Sequence, residues 1–222
     1  MKKVKVALIG TGNWCLQHCR VLTHHPQVFF CGILGRNKER TKKRAKLFDV
    51  PYYLDLQELI RNQKPDLINI SLPNEHHYDM TMKVIKSSCH LFVEKPLVFK
   101  MQEAKKLLAE AKKRKLFFGI NFNWRYSTPV RKAVQAINEN ELGEINFITW
   151  RFGGSGGGGD PHGNLIETQC HGFDMLEYLN GPIKSVQSMM TDKTNNGFST
   201  FVVSMKFKNK SVQKLMKICS EI

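Results

Sequence analysis

No stretch of this 222-residue chain approaches the ~20 consecutive apolar residues that a membrane-crossing helix needs, so nothing in it is expected to span a bilayer. The opening Met1-Lys2-Lys3-Val4-Lys5-Val6-Ala7-Leu8-Ile9-Gly10 begins like a signal peptide, but its apolar part is too short and a glycine turn follows where a cleavage site would stand. Cysteine is sparse. Cys15, Cys19, Cys31, Cys89, Cys170 and Cys219 lack the paired spacing of a metal site or a disulfide framework, which fits a reducing, cytoplasmic setting. Acidic residues are few as well: 19 Asp and Glu face 34 Lys and Arg, leaving a net charge of +15. Such an excess suits nucleic acid, a membrane surface or an anionic small molecule. It is concentrated in residues 38–46 and 105–115, where basic residues share helical spacing with apolar ones. Aromatic interleaving and nucleic-acid-reading motifs are missing there, so these segments read as solvated helix faces and nucleic acid is not the expected partner.

With 41% hydrophobic and 24% charged residues, the chain is neither a disordered tail, a collagen-like repeat nor a disulfide mini-protein. Its first part reads as short apolar strands (residues 4–9, 28–34, 67–71, 90–93 and 116–121) alternating with helical segments (13–24, 38–48, 77–88 and 103–115). That alternation, bounded by Gly, Pro and Asn, predicts βαβ units around a parallel sheet, an α/β fold of the Rossmann type over residues 1–120. Beyond it the pattern changes. A helix over 130–140, a strand over 144–152 and a helix over 166–179 precede three consecutive strands, 186–191, 198–207 and 211–218. Strands without intervening helices predict antiparallel pairing, hence a second, α+β domain over 121–222 with a mixed or antiparallel open sheet. Residues 153–159 hold six glycines in seven positions, which suits either a flexible linker or an active-site loop.

Gly10-Thr11-Gly12-Asn13-Trp14-Cys15 follows the first predicted strand and opens a helix. The first glycine permits the tight turn, the second lets backbone approach a pyrophosphate, and the third position needs a small side chain for helix–strand packing. Cys15 fills that third place as a small hydrophobe. Gly10, Gly12 and Asn13 are expected to hold the diphosphate at the helix N-terminus, with Thr11 and Trp14 bordering it. An acid that reads an NAD ribose is expected about 20 positions further on, but Gly35-Arg36-Asn37-Lys38 stands there. A guanidinium at Arg36 could clamp a 2′-phosphate, so NADP is preferred over NAD; the alternative is a surface arginine in a lysine-rich loop. Cys15, His18 and Cys19 share helical spacing, yet zinc needs a fourth partner or water, and the cluster reads as packing, not as a metal site.

Asp66-Leu67-Ile68-Asn69-Ile70-Ser71-Leu72-Pro73-Asn74 with His77, then His90-Leu91-Phe92-Val93-Glu94-Lys95-Pro96-Leu97, then Asn121-Phe122-Asn123-Trp124-Arg125-Tyr126, and finally Glu167-Thr168-Gln169-Cys170-His171-Gly172-Phe173-Asp174 together resemble the Gfo/Idh/MocA oxidoreductases. That family includes glucose–fructose oxidoreductase and inositol and nucleotide-sugar dehydrogenases. The resemblance implies a nicotinamide-binding Rossmann domain and hydride transfer between the cofactor and a carbinol of a sugar, polyol or nucleotide-sugar. It implies that Leu72, Pro73, Asn74, His77, Glu94 and Lys95 lie at the cofactor, and that Lys95 orients or protonates the reacting oxygen. It implies that His171 is the acid–base group. In many relatives the peptide before the Glu-Lys-Pro proline is cis. Arg125, Tyr126, Asn121, Asn123 and Asp174 are candidates for the substrate site. Glu167 lies four residues before His171 and Asp174 three after it, so one helical face would let either carboxylate orient the imidazole; plain helix surface, or a cap for Glu167, is the alternative.

Members of the family usually continue through several more sheet strands, so the chain is expected to be a C-terminally shortened one. An open sheet lacking strands exposes hydrogen-bonding edges, which suggests a homo-oligomer formed through the C-terminal sheet. The expected activity is that of an NAD(P)-dependent oxidoreductase acting on a CH–OH group of a sugar-like small molecule. The alternative is a non-catalytic dinucleotide-binding remnant or interaction module.

Overall fold

A computed structural model describes residues 2–152, 165–192, 199–208 and 214–218, and structural statements below refer to these residues. The glycine run at 153–159, Cys219 and the outer parts of the last two predicted strands lie outside the described residues. The chain divides into two compact units, Met1–Asn121 and Phe122–Ile222. No helix among the described residues is long and apolar enough to cross a membrane.

The first unit alternates strand and helix throughout: β1 (Val4–Ile9), α1 (Asn13–His24), β2 (Val28–Leu34), α2 (Lys38–Leu47), β3 (Tyr52–Tyr53), α3 (Leu56–Gln63), β4 (Leu67–Ile70), α4 (His77–Lys86), β5 (His90–Val93), α5 (Met101–Lys113) and β6 (Phe118–Ile120). The strands form one parallel sheet in the order β3-β2-β1-β4-β5-β6. Order reverses between β1 and β4, and in such sheets the crevice at the reversal is where ligands bind. Both faces are covered, which is why β1 is apolar without a break from Val6 to Ile9. Its Ala7 and Ile9 pack with Ile68, Ile70, Leu91 and Val93 beneath Leu59, Val84, Ile85 and Leu107. Its Val6 and Leu8 pack with Ile33 beneath Cys15, Cys19, Leu22 and Ala45. Each fully buried Leu or Ile contributes about 1.5–3 kcal/mol.

Local chemistry sets the helix ends. Asn37 caps α2 by accepting the Arg40 amide at 2.9 Å, and Asp55 caps α3 through the Glu58 amide at 2.8 Å. The basic segments behave as solvated faces: only Thr41 and Ala45 of α2, and Leu107 and Ala111 of α5, are buried. Cys15, Cys19, Cys31 and Cys89 behave as core. Burial pushes the Cys19 thiol up to about 12 and Cys31 up to about 11, so both stay protonated at neutral pH.

The second unit contains α6 (Thr128–Asn138), β7 (Trp150–Phe152), α7 (Cys170–Asn180), β8 (Ile183–Asp192), β9 (Ser199–Phe207) and β10 (Lys214–Ile218). Its sheet runs β7-β10-β9-β8, antiparallel at β8–β9 and β9–β10 and parallel at β10–β7, a mixed sheet. Alternate residues Val203, Met205 and Phe207 of β9 are buried with Leu176 of α7. The strand expected over 144–152 shortens to β7, because a strand exists only where a ladder partner does and β10 pairs with it at 150–152 alone. The helix expected over 166–179 is broken: a helical turn at 165–167 ends in a two-residue turn before α7 begins at Cys170.

Candidate functional site

The first set of candidate residues surrounds the turn between β1 and α1. Gly10 has φ +128°, donates its amide to Leu34 O at 2.8 Å, and lies so close to β4 that an added Cβ would meet Ser71 O at 2.0 Å. Only glycine fits there. The Cys15 thiol packs beneath it, donating to Ser71 O at 2.9 Å, which is the close helix–strand approach the third motif position serves. Gly12 is the opposite case. It precedes the first turn of α1 in extended conformation, and an added Cβ would meet nothing within 4 Å. The α1 N-terminus carries no side-chain cap and no acidic residue in its first turn, so its amides face an open space suited to an anion.

The sequence pattern places Arg44 on a solvated face. It instead reaches from α2 to Thr11 O at 3.3 Å and Gly12 O at 3.4 Å, so the turn's carbonyls are held by a guanidinium. The available signal was position: Arg44 directly precedes Ala45 and lies three residues after Thr41, the two buried residues of α2. Arg36 follows β2 and is exposed, while the neighbouring Asn37 side chain is committed to the α2 cap.

At the end of β5, Glu94 is 5% exposed. Its Oε1 accepts from Trp14 Nε1 at 2.7 Å, from Asn121 Nδ2, and lies 2.7 Å from His18 Nε2; its Oε2 accepts the Lys95 amide at 3.2 Å. Burial alone would raise this carboxyl, but the hydrogen bonds from His18, Asn121 and Trp14 outweigh it and hold it below the usual glutamate value. Glu94 and Asn121, expected at cofactor and substrate respectively, are therefore bonded to each other. Lys95 is half-buried, and the Lys95–Pro96 peptide is cis. Leu72 and Asn74 are half-buried and Pro73 is exposed, just past β4.

His77 corrects an expectation. Its ring, expected at the cofactor, is fully buried, with Nδ1 2.8 Å from Pro96 O and Nε2 2.9 Å from Leu72 O. It ties the segment after β4 to the segment after β5. Among the described residues no group of three or more His, Cys, Asp or Glu side chains is placed to hold a metal ion.

In the second unit, His171 is 7% exposed near the start of α7. Its ring stacks on Trp124 with centroids 5.0 Å apart at 6°, and Phe122 meets it edge-on at 6.0 Å. Trp124 packs in turn against Trp150 at 5.1 Å, and Trp150 lies so close to Gly172 that an added Cβ would meet its Nε1 at 2.5 Å. Trp150 Nε1 donates to the buried Gln169 at 3.2 Å, so the helix start is anchored to β7 beside the histidine. Two expectations change here. Glu167 is exposed and precedes the break before α7, so the argument from one continuous helical face does not hold. Asp174 engages Arg125 with both oxygens, at 2.7 Å to Nε and through a second bond to Nη2, and is committed to that pair. Arg125 also covers the Tyr178 ring at 4.7 Å, and the pair pushes the guanidinium's proton affinity up. Asn123 and Tyr126 are exposed.

A cleft of about 580 Å³ lined by Arg131, Gln135, Asn138 and Tyr178 contains none of the candidate residues.

Residues 4–122 match the model of an oxidoreductase family with an NAD-binding Rossmann fold, GFO/IDH/MocA, and residues 130–216 match that family's C-terminal domain. The chain is 27% identical over 202 residues to an uncharacterised oxidoreductase of Synechocystis, covering 84% of this chain and 54% of that protein. It is 23% identical over 203 residues to myo-inositol 2-dehydrogenase of Thermotoga maritima, covering 85% and 58%. The WlbA dehydrogenase of Bordetella pertussis, solved with NADH and UDP-GlcNAcA, shares the fold with a TM-score of 0.86 at 14% identity, over 100% of this chain and 68% of that one. The chain thus spans about half the length of the curated relatives it matches. Two family models matched in order across both units, on a turn whose geometry admits glycine alone at its first position, show that this chain belongs to the Gfo/Idh/MocA oxidoreductase family.

Proposed function

We propose that the chain binds a nicotinamide dinucleotide at the Gly10–Trp14 turn and acts as an NAD(P)-dependent oxidoreductase on a CH–OH group of a sugar, polyol or nucleotide-sugar. The observation that carries this reading is the pairing of a Gly10 that cannot bear a side chain with a Gly12 that faces open space at an uncapped helix N-terminus. These residues fit a dinucleotide: amides of Gly12, Asn13 and Trp14 would receive the diphosphate, with Thr11 beside them and Arg44 holding the turn from behind. Arg36, exposed past β2 where no acid stands, supports a preference for NADP. Leu72, Pro73 and Asn74 follow β4 on the ligand-binding edge of the sheet and would border the cofactor.

When bound, the nicotinamide ring supplies the hydride acceptor or donor. On the protein's side, the Lys95 ammonium would hold the reacting oxygen and stabilise the charge developing on it. The neutral imidazole of His171 would accept the hydroxyl proton, its ring plane fixed by the Trp124 stack. The substrate class is supported by relatives named as dehydrogenases of myo-inositol and of D-glucosides, and by the nucleotide-sugar held by WlbA.

The test is a hydride-transfer assay with NADP and NAD over a panel of sugars, polyols and nucleotide-sugars. Turnover that drops at least about 100-fold in both Lys95→Ala and His171→Ala supports the reading. Dinucleotide binding without turnover on any of these would favour the binding-module alternative.

We also propose that two copies associate through the second sheet. Its edge strand β8 presents Val186 and Met189, 61% and 74% exposed, beside an open ladder.

A further inference from the structure

We propose that His18 is a positioning residue: clamped between Glu94 and Asn69, it sets the carboxylate that holds both the Trp14 indole and the Lys95 main chain. The proposal rests on the dinucleotide-binding reading above and deepens it.

His18 lies one helical turn after Trp14 on α1, so the two rings share a flank, with centroids 6.5 Å apart. Its side chain is 10% exposed and that of Glu94 6%. Asn69 Nδ2 lies 2.9 Å from Nδ1 of the ring. With the Asn69 amide in this orientation Nδ2 donates and Nδ1 accepts, which leaves the ring proton on Nε2, facing Glu94 Oε1 at 2.7 Å. The chain Asn69–His18–Glu94 ends on the oxygen that also receives Trp14 Nε1 and Asn121 Nδ2. The other oxygen of the same carboxylate receives the Lys95 amide.

Two features separate this cluster from ordinary packing. Asn69 Oδ1 is buried without a hydrogen-bond partner, a cost of about 1–3 kcal/mol that an apolar residue on β4 would avoid. Such a cost is tolerated where a site needs a fixed geometry. Within the cluster, Trp14 is the member left open, 52% exposed on the first turn of α1 beside the open space over Gly12. A half-exposed ring held by a buried carboxylate is presented to a ligand already ordered, which lowers the cost of binding. Because one carboxylate serves both Trp14 and Lys95, disturbing His18 disturbs the cofactor end and the lysine together.

The experiment compares wild type, His18→Leu, His18→Gln and Asn69→Ala. The indole N–H signals are followed by NMR in the ligand-free protein, with Trp14→Phe to assign the Trp14 signal, and the affinity for NADPH is measured by titration. His18→Leu is expected to move the Trp14 signal while leaving those of Trp124 and Trp150 in place. It is also expected to weaken NADPH by about tenfold, the loss of one net hydrogen bond to a charged acceptor. His18→Gln, which keeps a donor toward Glu94, is expected to restore most of both. If His18→Leu does not fold, Asn69→Ala decides, with a moved Trp14 signal and weaker NADPH binding expected. A folded His18→Leu, or in its absence Asn69→Ala, with wild-type indole signal and affinity overturns the proposal. A wild type that binds no dinucleotide overturns the functional reading instead, and the ligand-free indole signals still decide the role of His18.

Discussion

Glu94 gathers four donors onto one carboxylate at the end of β5. It is a buried anion that receives Trp14, His18, Asn121 and the Lys95 amide, and its folded-state pKa lies below the unfolded value. A depressed carboxyl contributes stability that is fully present above the unfolded value, near 4.3, and is lost as pH falls through the lower folded value. Glu94→Gln should therefore cost about 1–3 kcal/mol in denaturant unfolding at pH 7, because one acceptor oxygen is replaced by a donor facing donors. The gap between the two proteins should close as pH falls below about 4. A gap that stays constant from pH 7 to pH 3 would contradict the account. The same cluster shows why part of the site was hidden in the sequence. Glu94 meets His18 across 76 residues, and Asn69 meets it across 51, so no local spacing announces the group. The glycine turn was legible because its geometry is local: Gly10 takes a place only glycine fits, Gly12 has open space about its Cα, and Cys15 packs against Ser71 O.

At the level of elements, the parallel sheet could be read because both its faces are covered and each strand is a short apolar run closed by turn residues. The start of α2 at Lys38 was equally clear, and the structure shows Asn37 capping it. The second unit was harder for a physical reason. Strand length there is set by ladder partners distant in sequence, so the alternation over 144–152 overestimated β7, and the helix around His171 breaks between residues 167 and 170. The outer edge of β8 gives this scale its prediction. If it is an interface, sedimentation of the wild type should show a dimer, and Val186→Lys should shift it to monomer while changing the protomer's own unfolding free energy by no more than about 0.5 kcal/mol. A monomeric wild type at all concentrations would remove the interface.

Across the whole molecule, each unit carries its own candidate group: the glycine turn with Lys95 in the first, and the aromatic-walled His171 in the second. The net charge of +15 is carried largely on solvated helix faces, and only Arg44 among the α2 cations was found turned to the glycine turn. The central claim is that this turn holds the diphosphate of a nicotinamide dinucleotide. Gly12→Val tests it directly, since the added side chain enters open space in the folded protein yet blocks backbone approach by a ligand. In a calorimetric titration with NADPH, the wild type should bind saturably. Gly12→Val should lose at least about tenfold in affinity while melting within about 2–4 °C of wild type, a change of roughly 1 kcal/mol. A Gly12→Val protein that binds NADPH as well as wild type, or a folded wild type that does not bind it at all, would contradict the account.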